Sequence, residues 1–306
     1  MTKYPPKATL DLHRIGKEIG HTPLLKLSSL STDRVEVYAK AEWYQLGNSV
    51  KARAAFRIIS EAILAGLLEG RTLLDASSGN TAIAYASFCA KLQIPLAICL
   101  PANASQKRKD ILRALGTELH LTSELEGTDG AQAVAKSMAE AEPERYFLAD
   151  QYANPANWKA HYHGTAEEIW SQTDGIITHF VTGLGTTGSF VGNAAKLKAL
   201  NPDIRTVALQ PDSPMHLLEG WKHLETAVVP AIFSEEHIDG YASVDSTGAL
   251  DMIRFIAKHE GLLLSPSSAA NLLGAKQLAN TLKEGRIVTL LPDDASKCDE
   301  ILQMIQ

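Results

Sequence analysis

Short apolar runs alternate with longer amphipathic segments along most of this 306-residue chain. A short apolar run bounded by turn residues predicts a buried strand, and apolar residues three or four positions apart predict a helix. Residues 51–68 show the helical spacing, with Ala54, Ile58 and Ile59 on one face. Because strand and helix alternate repeatedly, we expect an α/β protein with parallel sheets covered by helices.

The predicted elements follow one another along the chain. The predicted strands cover residues 35–43, 72–76, 96–100, 118–121, 146–149, 180–182, 206–209 and 287–291. The predicted helices cover residues 51–68, 81–92, 105–115, 130–140, 155–170, 247–259 and 269–282. Residues 212–237 follow neither pattern and are predicted to form a long loop, a feature that often carries function in compact domains.

Composition narrows the classes of function. The net charge is −6 and no long basic run occurs, which argues against nucleic acid as a partner. No apolar stretch reaches the length of about 18 residues that would predict a membrane span. The three cysteines match no metal-binding or redox spacing, so no metal site is expected. Their odd number and the absence of an apolar signal-peptide core favour a cytoplasmic location.

Three segments rich in glycine, serine and threonine share one layout, in which an apolar strand is followed by a small polar loop and then by a helix. Ligands of open α/β sheets bind at the carboxyl ends of the strands. The N-terminus of the following helix favours an anion, and glycine lets the backbone approach it closely. The three loops lie at residues 75–81, 182–189 and 264–269.

The second of these loops is the best candidate for a phosphate site. Gly183, Gly185 and Gly188 form a GxGxxG pattern that also contains hydroxyl side chains. A dinucleotide site would need an acidic residue at the end of the next strand, where Gln210 stands. The pattern therefore favours a simple phosphate over a dinucleotide, and an ordinary strand-to-helix turn is the alternative.

A lysine begins the first long amphipathic helix. Lys51 follows Gly47, Asn48, Ser49 and Val50. Desolvation and the positive end of a helix dipole lower the pKa of an amine, which favours Schiff-base chemistry. A lysine at a helix start is also commonly a surface residue, so this position alone does not decide between the two interpretations.

The order of these motifs resembles the cysteine synthase family, which are pyridoxal-phosphate enzymes of the tryptophan-synthase-like fold (fold type II). The resemblance runs from about residue 19 to residue 292, nearly the whole chain. The glycine loop is similar to that of the B-type branch, O-acetylserine sulfhydrylase B. The matching motifs lie at residues 19–24, 51, 78–81, 100–101, 105, 108, 114–116, 150–152, 154–157, 160–162, 168–170, 183–189, 260–262 and 267–268.

The resemblance implies two domains, each with a mainly parallel twisted sheet flanked by helices. Residues 1–43 and 152–306 would form the larger cofactor domain. Residues 44–151 would form a smaller, mobile domain that carries the substrate loop. The active site is expected in the cleft between the two domains.

The resemblance also implies roles for individual residues. Lys51 would hold pyridoxal 5′-phosphate as a Schiff base and act as the catalytic base. Asn80 would bind the 3′-hydroxyl of the cofactor, and Ser267 would face its pyridine nitrogen. The phosphate would lie against Gly183, Gly185, Thr186, Thr187, Gly188 and Ser189. The substrate carboxylate would contact Ser77, Ser78, Gly79, Thr81 and Gln151.

The implied activity is that of a transferase that makes cysteine. An O-activated L-serine, either O-acetylserine or O-phosphoserine, would react with a sulfur nucleophile through an aminoacrylate. Lys222 lies where the family has its donor-specificity loop and would meet a phosphate leaving group, with an exposed loop lysine as the alternative. A homodimer is implied, and a sulfur-carrier protein is one candidate source of the nucleophile.

A serine facing the cofactor ring has a mechanistic consequence. A carboxylate at position 267 would keep the ring nitrogen protonated, whereas a neutral hydroxyl would not. The ring would then stabilise negative charge at the α-carbon less well. This favours β-elimination and replacement over transamination.

Other functions are compatible with the same set of motifs. Cystathionine formation, diaminopropionate formation and dehydration of serine or threonine would use the same cofactor. A silent binding paralogue would have no need of the complete set Lys51, Asn80, Gln151 and Ser267.

Positions that depart from the family pattern are His21, Asn48, Ala52, Gly164, Thr187, Ala269 and residues 292–298. The departure at residues 292–298 concerns the rim of the site and not the cofactor.

Overall fold

The computed structural model describes residues 6–297 of the chain. Cys298, at the end of the divergent segment noted above, lies outside the described residues. The chain divides into two compact units, one of residues up to 19 with 45–157 and one of residues 20–44 with those from 158 onward.

Strands and helices alternate much as predicted. The strands are β1 (Leu24–Lys26), β2 (Val35–Ala41), β3 (Thr72–Ala76), β4 (Leu96–Pro101), β5 (Glu118–Thr122), β6 (Tyr146–Leu148), β7 (His179–Gly183), β8 (Arg205–Pro211), β9 (Gly240–Val244) and β10 (Gly285–Leu291). The helices are α1 (Pro6–Gly16), α2 (Lys51–Leu64), α3 (Asn80–Leu92), α4 (Gln106–Ala114), α5 (Gly127–Ala141), α6 (Ala156–Ala160), α7 (Ala166–Gln172), α8 (Gly188–Leu200), α9 (Ser246–Glu260) and α10 (Pro266–Ala279).

The first unit is built on a four-stranded parallel sheet in the order β5-β4-β3-β6. Successive side chains of a strand point to opposite faces. Leu73 of β3 accordingly joins the apolar cluster of α2 and α3, whereas Leu74 joins the cluster formed with α5. Both faces are therefore covered by helices, which explains why these strands read as continuous apolar runs.

The N-terminal helix belongs to this first unit. Leu12 and Ile15 of α1 lie in the same buried cluster as Ile58 and Phe88. The division predicted from the sequence placed residues 1–43 together in the other domain. The structure differs because the apolar face of α1 is buried against α3 rather than against the sheet that contains β1 and β2.

The second unit is built on a six-stranded sheet in the order β1-β2-β10-β7-β8-β9. Only β1 is antiparallel to its neighbour among these paired strands. The two parallel sheets flanked by helices confirm the predicted α/β fold class.

The predicted elements of the second unit omit β1, α8 and β9, and they do not include a break in the helix at 155–170. Strand β9 alternates half-buried and exposed residues at a sheet edge, so it lacks an apolar run. The predicted helix 155–170 is interrupted by a π-helical turn at His161–Thr165. A side chain at Gly192 of α8 would lie 2.1 Å from the carbonyl oxygen of Trp158, so α8 packs closely beside this interrupted helix.

The long segment between β8 and β9 contains no helix or strand, as predicted. It is nevertheless anchored, because Leu218 and Trp221 are buried in the apolar core of the second unit.

Across residues 6–297, no helix is both long and apolar enough to cross a membrane.

Candidate active site

Lys51 lies at the first position of α2. It is half-buried between the buried residues Val50 and Ala52. The turn before it contains Gly47 at φ +90, where a side chain would lie 3.3 Å from the Cβ of Ala52 and 3.5 Å from the Cβ of Ala84. Close packing on α3 therefore fixes the start of α2 and the position of its lysine.

The loop between β3 and α3 is organised by Ser77. Its buried Oγ accepts hydrogen bonds of 3.3 Å from the backbone N–H groups of Gly79 and Ala82. Asn80 begins α3 and is half-buried. Because the first N–H groups of a helix have no partner within the helix, this loop is suited to bind a carboxylate.

Gln151 is buried beside this loop and is held by hydrogen bonds to its neighbours. Its Oε1 accepts a 2.7 Å hydrogen bond from Oγ1 of Thr81, and its Nε2 donates a 3.1 Å bond to the carbonyl of Ala76. Asn157 donates a 2.7 Å bond to the Gln151 carbonyl. Thr81 thus donates its hydroxyl proton to Gln151. The Nε2 group of Gln151 has a second N–H proton that could be donated to a ligand.

Asp75 lies beneath the same loop and was not singled out by the sequence pattern. Its carboxylate accepts hydrogen bonds from the backbone N–H groups of Ala76, at 2.8 Å, and Gln151, at 3.3 Å. Burial raises the pKa of Asp75 to about 7. The sequence does contain a signal for this residue, which is an acidic residue near the end of an apolar strand. A carboxylate buried there needs hydrogen-bond partners, so its presence indicates a polar group of contacts.

The glycine loop between β7 and α8 is tightly packed within the second unit. A side chain at Gly183 would lie 2.1 Å from the ring of Trp221, and one at Gly185 would lie 2.0 Å from the carbonyl oxygen of Gly220. The backbone N–H of Lys222 donates a 2.7 Å hydrogen bond to the carbonyl of Leu184. The glycines are therefore required by the chain packed against the loop.

Thr187 occupies the turn into α8 with a left-handed backbone at φ 69. This conformation is a genuine outlier for a β-branched residue and is typical of functional sites. Its Oγ1 is buried and has no hydrogen-bond partner among the residues that the structure describes. An unpaired buried hydroxyl at a helix N-terminus fits a bound phosphate, whose oxygens would accept its proton.

Asn271 of α10 ties the glycine loop to the sheet and was missed by sequence reasoning. Its Oδ1 accepts a 2.7 Å hydrogen bond from the backbone N–H of Gly183. Its Nδ2 donates a 2.8 Å bond to the carbonyl of Leu290. The sequence gives one indication of this role, which is an asparagine among the apolar residues of a predicted helix.

Ser267 lies in the first turn of α10 and is 7% exposed. Its Oγ lies 3.1 Å from Oγ of Ser265 and 3.5 Å from Oδ1 of Asp293. A carboxylate thus stands directly behind the serine, which the sequence pattern did not reveal because the two residues are far apart in the chain.

Lys222 is half-buried, and its Nζ donates a 3.2 Å hydrogen bond to the carbonyl of Val228. Its backbone contacts the glycine loop at Leu184, as described above. The anion-binding role suggested by the sequence stays a prediction.

The structure brings the predicted residues together in two groups. In the first unit, the loop at residues 77–79, Thr81 and Gln151 meet at the carboxyl end of β3, and Lys51 and Asn80 begin the neighbouring helices α2 and α3. In the second unit, the glycine loop and α10, which carries Ser267, are joined through Asn271.

Comparisons with known proteins agree with this arrangement. Residues 15–293 match the family model described as pyridoxal-phosphate dependent enzyme. The chain is 42% identical to the cysteine synthase of Aquifex aeolicus over 290 residues, which cover 92% of this chain and 89% of that protein.

Solved structures show the same fold. The cysteine synthase of Entamoeba histolytica superposes with a TM-score of 0.89 at 30% identity, covering 95% of this chain and 90% of that chain. The O-acetylserine-dependent cystathionine β-synthase of Helicobacter pylori superposes with a TM-score of 0.87 at 31% identity, covering 94% and 96%.

Proposed function

The chain belongs to the cysteine synthase family of pyridoxal-phosphate dependent enzymes, and on that premise we propose that it forms L-cysteine by β-replacement. O-acetyl-L-serine is the proposed donor and sulfide the proposed nucleophile, so that acetate is released. The observation that carries the proposal is the 42% identity to a cysteine synthase along nearly the whole chain.

The glycine loop would hold the phosphate of the cofactor. The unpaired hydroxyl of Thr187 and the N-terminal N–H groups of α8 supply donors there. When bound, pyridoxal phosphate supplies the electron-withdrawing ring that makes the α-proton of an amino acid acidic. Asn80 and Ser267 would contact that ring.

Lys51 would attach the cofactor and later hold the proton taken from the α-carbon. Its place at a packed helix start limits the positions that its amine can reach. The carboxylate of the amino-acid donor would lie on residues 77–79 and on the remaining N–H of Gln151. In this proposal Thr81 positions Gln151 rather than binding the substrate itself, which refines the role that the resemblance implied.

Lys222 would decide the choice of donor. A cation at this place would pair with the phosphate of O-phosphoserine.

Cystathionine formation is the second candidate function. It is supported by the similarity to the O-acetylserine-dependent cystathionine β-synthase of Helicobacter pylori. Homocysteine would then replace sulfide as the nucleophile, with the same donor and the same residues.

We further propose that the protein works as a homodimer in the cytoplasm and that a sulfur-carrier protein is one candidate source of sulfur. Cys89 and Cys99 are free, buried thiols, which supports a reducing compartment. Size-exclusion chromatography with light scattering would test the dimer.

The purified protein with pyridoxal phosphate should convert O-acetylserine and sulfide to L-cysteine and acetate. Parallel reactions would replace the donor with O-phosphoserine, or sulfide with homocysteine. Lys51→Ala is the control that should lose each reaction. Failure of the wild-type protein to form product from any of these pairs would contradict the proposal.

A further inference from the structure

One buried carboxylate joins the two segments that carry the proposed carboxylate site. Asp75 lies one residue before the end of β3 and is 2% exposed. Its Oδ1 accepts a 2.8 Å hydrogen bond from the N–H of Ala76, and its Oδ2 accepts a 3.3 Å bond from the N–H of Gln151. Each oxygen therefore holds the backbone of a different segment, one at the start of the loop at residues 77–79 and the other at Gln151.

Gln151 reaches back to the same strand. Its Nε2 donates a 3.1 Å bond to the carbonyl of Ala76, the residue whose N–H bonds to Asp75. The two segments are thus joined in both directions, by a carboxylate from β3 and by an amide from the segment after β6. Because Ala76 directly precedes Ser77, these bonds set the distance between the Gln151 amide and the loop at residues 77–79.

The residue before Gln151 has a strained backbone. Asp150 adopts a left-handed conformation at φ 46, which is uncommon for residues other than glycine. Such a conformation costs free energy and persists only where neighbouring contacts hold it. The Asp150 carbonyl accepts bonds from the N–H groups of Ala153 at 3.0 Å and Asn154 at 2.8 Å, and its Oδ1 accepts a 3.2 Å bond from Ala153. On the other side of this turn, Asp75 holds the N–H of Gln151.

Further groups face the Asp75 carboxylate. Burial raises the pKa of Asp75 to about 7, while Tyr85 of α3 lowers it and the charge of Asp150 raises it by smaller amounts. The Tyr85 hydroxyl forms no hydrogen bond of ordinary geometry within the described part of the chain. Because the neutral form of Asp75 is already populated near neutral pH, an uncharged side chain of the same shape is compatible with this place.

We propose that Asp75 is a positioning residue that holds Gln151 beside the loop at residues 77–79, so that both meet the carboxylate of the amino-acid donor. The proposal rests on the proposed function, in which this loop and the remaining N–H of Gln151 bind that carboxylate. In this role Asp75 touches no substrate atom and acts through the backbone of Gln151. Its loss should therefore weaken recognition of the carboxylate and leave binding of the cofactor and of the amino group unchanged.

Two ligands that differ only in the carboxylate test the proposal. Ethylamine is L-alanine without its carboxylate, and the absorbance of bound pyridoxal phosphate would report the binding of each. In Asp75→Asn the amide has one acceptor oxygen, so it cannot accept from both N–H groups as the carboxylate does. At about pH 8, where Asp75 is mostly ionised, the dissociation constant for L-alanine should rise about fivefold, as expected for one hydrogen bond. The constant for ethylamine should stay unchanged.

Asp245→Asn is the matched control, because its carboxylate also accepts a hydrogen bond from a backbone N–H. The Oδ1 of Asp245 accepts a 2.6 Å bond from Gly248 at the start of α9 rather than from Gln151. Asparagine caps a helix as well as aspartate does. The control protein should keep the wild-type constants for both ligands, and an equal rise for L-alanine in the control would overturn the inference.

A double-mutant cycle decides whether Asp75 acts through Gln151. If it does, Asp75→Asn should add nothing to the effect of Gln151→Ala on the constant for L-alanine. Fully additive effects would overturn the inference. An equal rise for L-alanine and ethylamine in Asp75→Asn, or an unchanged constant for L-alanine, would overturn it as well.

A measurement on the wild-type protein decides the matter if Asp75→Asn does not fold. The N–H of Gln151 should exchange with solvent on the order of a hundredfold or more slowly than an unprotected amide, since Asp75 holds it. Hydrogen exchange followed by nuclear magnetic resonance would measure this rate. Exchange at the rate of an unprotected amide would show that the bond to Asp75 does not hold Gln151.

The wild-type protein also separates this inference from the proposed function. Wild-type protein that binds no pyridoxal phosphate contradicts both. If it binds the cofactor and forms cysteine while Asp75→Asn keeps the wild-type constant for L-alanine, only the role of Asp75 is lost. If the two ligands behave as expected but no cysteine forms, only the proposed reaction is lost.

Discussion

The hydroxyl of Thr81 donates a 2.7 Å hydrogen bond to Oε1 of Gln151, and both residues are buried. The bond fixes which end of the Gln151 amide faces the substrate loop. With Oε1 bound to Thr81, the Nε2 group points its protons toward the carbonyl of Ala76 and toward the proposed carboxylate site.

Thr81→Val should weaken donor binding without weakening cofactor binding. Valine keeps the shape but removes the bond that orients the amide, so the Gln151 amide loses its fixed direction. KM for O-acetylserine should rise about fivefold, as expected for one hydrogen bond. Steady-state kinetics and cofactor titration would measure the two effects separately.

Ser87→Ala is the control for this variant, because it removes a hydroxyl from the same helix whose bond goes to the carbonyl of Ile83. It should leave KM unchanged. An equal rise of KM in both variants would show that α3 stability, and not Gln151, is responsible.

Asp75→Asn should change how stability depends on pH. Burial raises the pKa of Asp75 from 3.8 to about 7, so between these values the folded protein holds a proton that the unfolded chain releases. This contribution to stability is complete below about pH 4 and is lost as pH rises through about 7. Relative to Asp75→Asn, the wild type should lose a few kcal/mol of unfolding free energy over this range.

Urea unfolding at about pH 4.5 and about pH 8 would measure the difference. Asp110→Asn, at an exposed position on α4, is the control and should follow the wild type. Parallel pH profiles for wild type and Asp75→Asn would contradict the prediction.

Gly183→Ala should lower cofactor affinity at least tenfold, because the new methyl group would lie 2.1 Å from the Trp221 ring and displace the loop. Trp221→Leu in the same chain should restore part of the affinity by giving the methyl group room. Gly240→Ala is the control, since a side chain there would meet nothing within 4 Å. Titration with pyridoxal phosphate would measure each variant. No recovery in the double variant would show that the ring is not the obstacle.

Lys40→Met should destabilise the protein by about 3 kcal/mol, because it removes the ammonium group that faces the mostly buried carboxylate of Glu168. The fully buried ammonium group contacts Glu168 at 2.7 Å and the carbonyl of Thr22 at 2.6 Å. Lys26→Met breaks an exposed pair with Glu36 and should cost less than about 1 kcal/mol. Chemical denaturation would compare them, and equal losses would contradict the argument.

Local features of the fold and of the site could be predicted from the sequence. The helix that begins at Lys51 and the loop at residues 183–189 follow from spacing and residue type within one segment. The parallel strands follow from apolar runs, because burial on both faces removes alternation. Strand β9 lacked that signal at the sheet edge, and the interruption at His161–Thr165 lies beside a helix far along the chain.

Contacts between distant segments could not be predicted in the same way. The bond between Thr81 and Gln151 joins residues 70 positions apart, and Asn271 meets Gly183 across 88 positions. Oδ1 of Asp293 lies 3.5 Å from Oγ of Ser267 because the chain after β10 pairs with Leu264, just before α10. Such pairings depend on strand order, which hydrophobic spacing does not specify.

The two buried thiols have a further consequence for an enzyme proposed to work with sulfide. Burial raises the pKa of Cys89 to about 12 and that of Cys99 to about 11, so both remain neutral and poorly nucleophilic. They should resist mixed disulfides with the thiol product. After Cys298→Ser, each of these two thiols would react with a thiol-labelling reagent only when the first unit opens. The labelling rate would therefore report how often that unit unfolds.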